Sequence, residues 1–248
     1  MQRSLVGSEM CIRDSFYSVP HVRNYIKRQL QLELLGEVPV LSIRTEPLQN
    51  PVNRLAKRLF DLTFSSLFLL TIFPFMYLIV GLIIKITSPG PIFFKQERNG
   101  ENGKIFKCYK FRSMKVNALS DSLQATKNDP RKTKFGNFLR KSNLDELPQF
   151  INVFKGEMSI VGPRPHMLKH TEEYSQLIYK YMMRHLVKPG ITGWAQVTGY
   201  RGETKELSQM EGRVRRDLWY IENWTFLLDI RIMIKTVTNM FRGEKNAY

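Results

Sequence analysis

Between Asp61 and Lys85 the chain runs for 23 residues without a charged side chain, in contrast to the mixed pattern elsewhere. As a helix this stretch would extend about 34 Å, close to the hydrocarbon thickness of a bilayer. Pro74 lies near its middle, where the missing N–H and the clash of the ring with the preceding turn kink or break a helix. Arg54, Lys57 and Arg58 precede the run, and residues 85–115 carry eight basic side chains against two acidic ones. A spanning helix is usually basic mainly on one side. Basic flanks at both ends suit a hairpin that enters and leaves on the same face. The pattern therefore predicts a re-entrant helix-break-helix over 53–86, a buried core helix being the other reading.

Beyond Pro91 the periodicity becomes that of a globular domain. Ile92-Phe93-Phe94 and 104–111 read as short strands, and Asn99-Gly100 and Asn102-Gly103 between them are turn signals, so a hairpin is expected. A loop rich in Lys and Asp follows over 117–134. Leu144, Leu147, Ile151 and Phe154 keep a helical spacing that predicts a helix from Ser142 or Asn143 to a stop at Gly156. Helices are also expected over 171–188, 204–220 and 224–242. The last is apolar over most of its surface, relieved by Arg231, Lys235 and Arg242. Trp219, Tyr220 and Trp224 gather near its start, which suits either the lipid headgroup level or a protein core.

Upstream, 38–43 is a short apolar strand-like run within a segment, 16–52, read as the remnant of a preceding domain plus a linker. Residues 1–15 show no period and are expected to be a non-native or disordered tail. The chain thus divides into 1–15, 16–52, a membrane segment 53–86 and a catalytic domain 87–248. The fold class is α+β and mostly helical: a membrane-inserted re-entrant helix-break-helix, then a globular domain with a small β-hairpin or sheet and interfacial amphipathic helices.

Charge narrows the partners. The 248 residues carry a net charge of +16, which points to nucleic acid, an anionic membrane surface or phosphorylated substrates. The two cysteines, Cys11 and Cys108, and four histidines form no CxxC or HExxH spacing, so neither a disulfide framework nor a zinc site is expected.

Four stretches carry candidate chemistry. Asp145 and Glu146 stand together in SNLDELPQF. In a first helical turn such a pair ordinarily complements the positive helix end, but 127–141 holds six basic side chains and one acidic. A carboxylate facing a helix start and Arg140 would stay ionised. An ionised Asp can be a nucleophile toward phosphorus, while its neighbour holds Mg²⁺. In KFRSM, alternation would put Lys110 and Arg112 on one strand face, suited to phosphate or merely to solvent. In Gly162-Pro163-Arg164-Pro165, two prolines fix the direction of one Arg, either as an anion site or as a plain turn. In the run 188–197, glycines allow close backbone approach beside Trp194.

These stretches, PGPIFFKQERNGENGKIFKCYKFRSM, RKSNLDELPQFINVFKGEMSIVGPRP and KPGITGWAQVTGYRGET, resemble in order and spacing the bacterial sugar transferase family. These are the polyprenyl-phosphate hexose-1-phosphate transferases, or monotopic phosphoglycosyl transferases. The likeness covers about 53–241, and the C-terminal part is most similar to the undecaprenyl-phosphate glucose phosphotransferase branch. The resemblance implies that Asp145 attacks the β-phosphorus of a UDP-sugar, releasing UMP, and that undecaprenyl phosphate then takes the sugar phosphate from Asp145. It also implies that Glu146 holds Mg²⁺ and that Lys110, Arg112, Arg140 and Arg164 contact phosphate. Asp217 in RRDLWY matches an acidic position of open role, grouped with the substrate-binding residues. The implied setting is the cytoplasmic face of a bacterial inner membrane, in exopolysaccharide, capsule or O-antigen synthesis. A homo-oligomer stays open, and an upstream multi-span region is expected to be missing. Many members have Ser before the proline of the break, whereas Phe73 precedes Pro74 here. A membrane-tethered nucleic-acid-binding or scaffolding module is the alternative, but it leaves the carboxylate pair without a task.

Overall fold

The structure is a computed structural model that describes residues 30–35, 38–43, 46–116, 129–202 and 206–242. The expected tail 1–15 and most of the expected loop 117–134 lie outside the described residues. The chain divides into two compact units, 1–45 and 46–248. The first contains β1 (Leu30–Leu35) and β2 (Val38–Ile43), paired antiparallel with Leu35 opposite Val38. The strand-like run at 38–43 is thus a strand.

The second unit opens with α1 (Pro51–Thr71) and α2 (Phe73–Thr87), bent by 56° at Ile72. Pro51 starts α1 and the Asn50 side chain caps it by accepting from Val52 N, the usual division of labour at a helix start. Pro74 lies in the first turn of α2, where its missing N–H costs least. Among the described residues no single helix is long and apolar enough to cross a membrane, but this bent pair passes the same test together.

The burial pattern of α1 is inverted. Lys57, Asp61 and Ser65, one stripe at four-residue spacing, are its buried positions. Leu55, Leu59, Leu67 and Leu70 are exposed, as are Phe75, Leu78, Leu82 and Ile86 on α2. Lys57 and Asp61 are satisfied by the globular part, while Ser65 donates to Leu62 O within α1. Lys57 Nζ donates to Asp229 at 2.5 Å and to the Tyr220 hydroxyl at 3.3 Å. Asp61 accepts from Ile160 N at 3.0 Å. Arg58 closes the end of a later helix through the carbonyls of Val153 and Phe154.

The remaining elements form a mixed layer around these contacts. The expected hairpin is present as β3 (Phe93–Asn99) and β4 (Ile105–Phe111), with Phe93 opposite Phe111 and a tight turn through left-handed Asn102. Next come α3 (Lys134–Lys141), α4 (Gln149–Lys155), β5 (Ser159–Val161), α5 (Leu168–Leu177), β6 (Gly190–Thr192), α6 (Trp194–Val197), α7 (Leu207–Glu222) and α8 (Phe226–Arg242). β5 and β6 pair in parallel. The main core joins Phe106 and Cys108 of β4, Phe150 and Val153 of α4, Ile160 and Val161 of β5, and Tyr220, Trp224 and Ile232 near and on the last two helices.

Two expectations change. The single helix expected from 142 to 156 is split, and α3 precedes it, beginning where the expected loop ends. The helix expected over 171–188 ends at Leu177; left-handed Lys180 then leads into a 3-10 segment, Tyr181–Leu186. Of the three aromatics that suited either the headgroup level or a core, Tyr220 and Trp224 are buried in the core and Trp219 is exposed, stacked on Trp194 at 5.0 Å. Tyr220 OH and Trp224 Nε1 both donate to Asp229, and a buried partner for each polar tip is what allows such aromatics into a core.

The Lys57–Asp229 pair is a testable keystone. Lys57→Met should destabilise the protein by roughly 3 kcal/mol or more, because it strands a buried carboxylate. Lys57→Met combined with Asp229→Asn should recover part of that loss. Chemical denaturation in detergent measures both, and an unchanged midpoint in the single variant would contradict the pairing.

Candidate active site

Asp145 and Glu146 sit in a short 3-10 turn, Leu144–Glu146, between α3 and α4. Local chemistry explains why the expected helix breaks there. Pro148 has no N–H to donate to the Leu144 carbonyl, as a continuous helix would require. That carbonyl accepts from Leu147 N at 3.3 Å instead. Asn143 turns left-handed at φ 58°, a conformation Asn tolerates better than most residues. The two carboxylates are therefore carried on a tight buried turn rather than on the first turn of an α-helix.

Glu146 is clamped by two cations. Lys110 Nζ reaches Oε1 at 2.7 Å, while Arg164 donates NH2 to Oε1 at 2.5 Å and NH1 to Oε2 at 3.1 Å. Two-point guanidinium–carboxylate contact is the strong form of this interaction. Lys110 is aligned by α4: Asn152 accepts from Tyr109 N and donates to Lys107 O, gripping the edge of β4. Arg164 is presented by the loop after β5. Backbone bonds from Gly162 N to Thr192 O and from Gly190 N to Pro163 O fasten that loop to β6. A Cβ on Gly190 would lie 2.1 Å from Gly162 N, so the glycine of the KPGITG stretch serves backbone-to-backbone packing within the protein.

Asp145 is buried like Glu146 but makes no hydrogen bond or ion pair with any described residue, although Lys110, Arg140 and Arg164 act on it through space. Burial first, and the neighbouring Glu146 second, push its carboxyl up to about 6, against the pull of those three cations. This departs from the expectation of a carboxylate stabilised by a helix start. The anion stays the main form at neutral pH, at a disadvantage on the order of 3 kcal/mol relative to a solvated one. Glu146 moves the opposite way: burial disfavours its charge, but Arg164 and Lys110 more than offset this and hold it well below the carboxylate range. Two adjacent carboxylates with divergent behaviour are a usual mark of divided chemical roles.

The remaining expected site residues separate. Arg140 Nε donates to Ser113 Oγ at 2.8 Å, so the serine of KFRSM orients it. Arg112 turns away. β4 ends at Phe111, which takes Arg112 out of the alternation, and its guanidinium donates to the carbonyls of Ser88 and Pro89 at the end of α2. Asp217 is fully buried in an ion pair with Arg184 at 2.8 Å and lies behind the Arg164 loop rather than in the carboxylate pair. Pro74 stands at the bend of α1 and α2.

Residues 52–243 match the family described as bacterial sugar transferase. The chain is 52% identical over 233 residues, 93% of its own length and 49% of the other, to the UDP-glucose:undecaprenyl-phosphate glucose-1-phosphate transferase of Escherichia coli (strain K12). It is 45% identical over 194 residues, 76% of this chain and 96% of the other, to the exopolysaccharide production protein PSS of Rhizobium leguminosarum bv. phaseoli. It is also 35% identical over 231 residues, 91% of this chain and 54% of the other, to a UDP-N-acetylgalactosamine-undecaprenyl-phosphate N-acetylgalactosaminephosphotransferase of Aeromonas hydrophila. The chain belongs to the bacterial sugar transferase family.

This sugar transferase chain spans about half the length of the E. coli relative. Beyond the residues singled out in its sequence, Arg201 joins the site, and Arg184 lies behind the Arg164 loop, bonded to Asp217 and to the Arg164 carbonyl. Arg201 donates to Asn143 Oδ1 and adds positive charge near Glu146. Its neighbours are fixed by Arg213, which donates to the carbonyls of Tyr200 and Gly202. The YRGET stretch was conspicuous in the sequence, but nothing local indicated that its Arg meets a residue 58 positions away.

Among the described residues no group of three metal-binding side chains occurs. Magnesium commonly takes one or two carboxylates and completes its shell with phosphate and water, and Glu146 offers one such carboxylate, engaged here by Lys110 and Arg164. The electrostatics give a direct test. In Glu146→Gln the ionisation midpoint of Asp145, read by carboxyl carbon NMR, should fall below its wild-type value near 6. One charge that raises it is gone, and two cations are freed. A midpoint that stays or rises would contradict the coupling.

Proposed function

We propose that this chain transfers hexose-1-phosphate, with glucose favoured as the sugar, from a UDP-hexose to undecaprenyl phosphate through a phosphosugar adduct on Asp145. The observation that carries this reading is the buried carboxylate of Asp145, without a hydrogen-bond partner among the described residues, beside a cation-clamped Glu146. The names of the E. coli and Rhizobium relatives support the substrate class and the link to exopolysaccharide.

In the first half-reaction an Asp145 oxygen bonds to the β-phosphorus, and the bond from that phosphorus to the bridging oxygen breaks. UMP leaves with the bridging oxygen and its electron pair. In the second, a phosphate oxygen of the polyprenyl acceptor bonds to the same phosphorus and the Asp145 oxygen departs, giving the polyprenyl diphosphate sugar and the starting carboxylate. Arg164 and Lys110 are placed to exchange Glu146 for the diphosphate oxygens, and Arg140 adds charge on the Asp145 side. Such preset cations are the main lever in phosphoryl transfer. When bound through Glu146, Mg²⁺ would supply further positive charge to the diphosphate. Dividing the reaction in two means that the soluble and lipid substrates need not occupy the site together.

The lipid setting rests on the inverted helix α1 and the outward apolar faces of α1 and α2. A contiguous exposed apolar surface of this kind marks a membrane or partner site. A 56° bend at Ile72 with basic flanks on both sides suits a re-entrant hairpin on the cytoplasmic leaflet. The exposed apolar side chains of α8, Leu227, Ile234 and Val237, suit the interface beside it.

Asp145→Asn should abolish UMP release from UDP-glucose while leaving membrane association intact, and Glu146→Gln should blunt the magnesium dependence. Residual turnover of the first variant near the wild-type rate would sink the nucleophile assignment, and an unchanged metal response in the second would remove Glu146 from the metal site. For topology, single cysteines at the exposed positions Arg54 and Lys85 should react with an impermeant reagent from the same face of oriented vesicles. Labelling from opposite faces would exclude the re-entrant arrangement.

A further inference from the structure

Arg184 lies inside the protein, 2% exposed, and all three of its guanidinium nitrogens are engaged. Nε donates to Asp217 Oδ2 at 2.8 Å, NH2 to the backbone carbonyl of Arg164 at 2.8 Å, and NH1 to His166 Nδ1 at 2.9 Å. A guanidinium only donates, so Nδ1 of His166 is the acceptor and the imidazole proton sits on Nε2. The Tyr181 hydroxyl reaches the same Nδ1 at 2.6 Å.

The three acceptors are not scattered. Two belong to the segment that presents the phosphate-binding arginine: the carbonyl of Arg164 itself and the ring of His166, on either side of Pro165. The third, Asp217, lies on α7 and anchors the fork from behind. Both Arg184 and Asp217 are too deeply buried to touch a substrate, so any effect they have on the reaction passes through the loop they hold. Pro163 and Pro165 restrict the backbone there, but a restricted backbone still needs an external fix to set where Arg164 points. A rigid planar fork with three fixed partners provides one.

We infer that Arg184 is a positioning residue for Arg164, and that Asp217 serves this reaction as the buried support of Arg184 and not as a substrate ligand. The inference rests on the phosphate-binding role given to Arg164 in the proposed transfer. It accounts for an acidic residue in RRDLWY that has no route to the carboxylate pair.

The test is a double-mutant cycle read by two independent signals: binding of inorganic pyrophosphate to the membrane-reconstituted chain, and the split of UMP release into kcat and KM. Arg184→Lys keeps the charge beside Asp217 but loses the fork. It should weaken pyrophosphate binding about tenfold in the otherwise wild-type chain, and by less than about threefold when Arg164 is already Gln, the non-additivity expected of groups that act through one another. KM for UDP-glucose should rise in step in the first background alone. If Arg184→Lys does not fold, Arg184→Gln with Asp217→Asn, which removes both charges together, makes the same comparison. An equal loss of pyrophosphate binding in both backgrounds would show a general structural role and overturn the inference, as would a wild-type chain that does not bind pyrophosphate. A wild-type chain that binds pyrophosphate but releases no UMP would defeat the transfer reading, with the binding cycle still deciding this one.

Discussion

The ion pairs of Glu146 with Arg164 and Lys110 are what the site depends on. They occupy the cations that would otherwise neutralise Asp145, and so leave a second carboxylate buried one residue away without a partner among the described residues. Two adjacent acids thereby acquire opposite characters. One is held firmly ionised, and the other is ionised at neutral pH but poorly stabilised. The uneven sharing follows from where the loop after β5 and the edge of β4 point their cations, and each is fixed from outside the site. Asn152 grips β4, and the glycine packing of β6 against the Arg164 loop fixes the other arm.

The same logic of buried polar groups attaches the site to its apolar helices. α1 turns Lys57 and Asp61 toward the protein and Leu55, Leu59, Leu67 and Leu70 outward, the reverse of a helix on a water-soluble domain. Asp229 collects Lys57, Tyr220 and Trp224, so three elements meet at one carboxylate. At the other end of the bent pair, Arg112 closes the carbonyls after α2 while the next residue, Ser113, orients Arg140. A short stretch of chain thus links the end of the apolar bent pair to the carboxylate pair, which fits the proposed transfer to a lipid acceptor.

Much of this was legible in the sequence. The charge-free run interrupted by Pro74 appears as the bent pair, and the Asn-Gly signals as the β3–β4 turn. Asp145, Glu146, Lys110 and Arg164, spread over 55 positions, converge as their motifs suggested. What failed did so for physical reasons. The spacing of Leu144, Leu147, Ile151 and Phe154 is the same whether or not Pro148 interrupts the helix, so periodicity could not reveal the tight turn. Alternation along β4 was carried one residue past the strand's end, which misdirected Arg112. Tyr220 and Trp224 suited interface and core alike because a sequence does not disclose that one buried Asp229 satisfies both. Arg184 and Arg201 were missed because their partners lie 18 to 58 positions away.

The central claim is that Asp145 carries the sugar phosphate between its two substrates. Peptide mass spectrometry after acid quench, on the reconstituted chain incubated with UDP-glucose and magnesium but no lipid acceptor, tests this most directly. The account predicts a hexose-phosphate modification confined to the peptide containing Asp145, which disappears when undecaprenyl phosphate is added. UMP release with no modified peptide, or a modification that the lipid does not discharge, would contradict it.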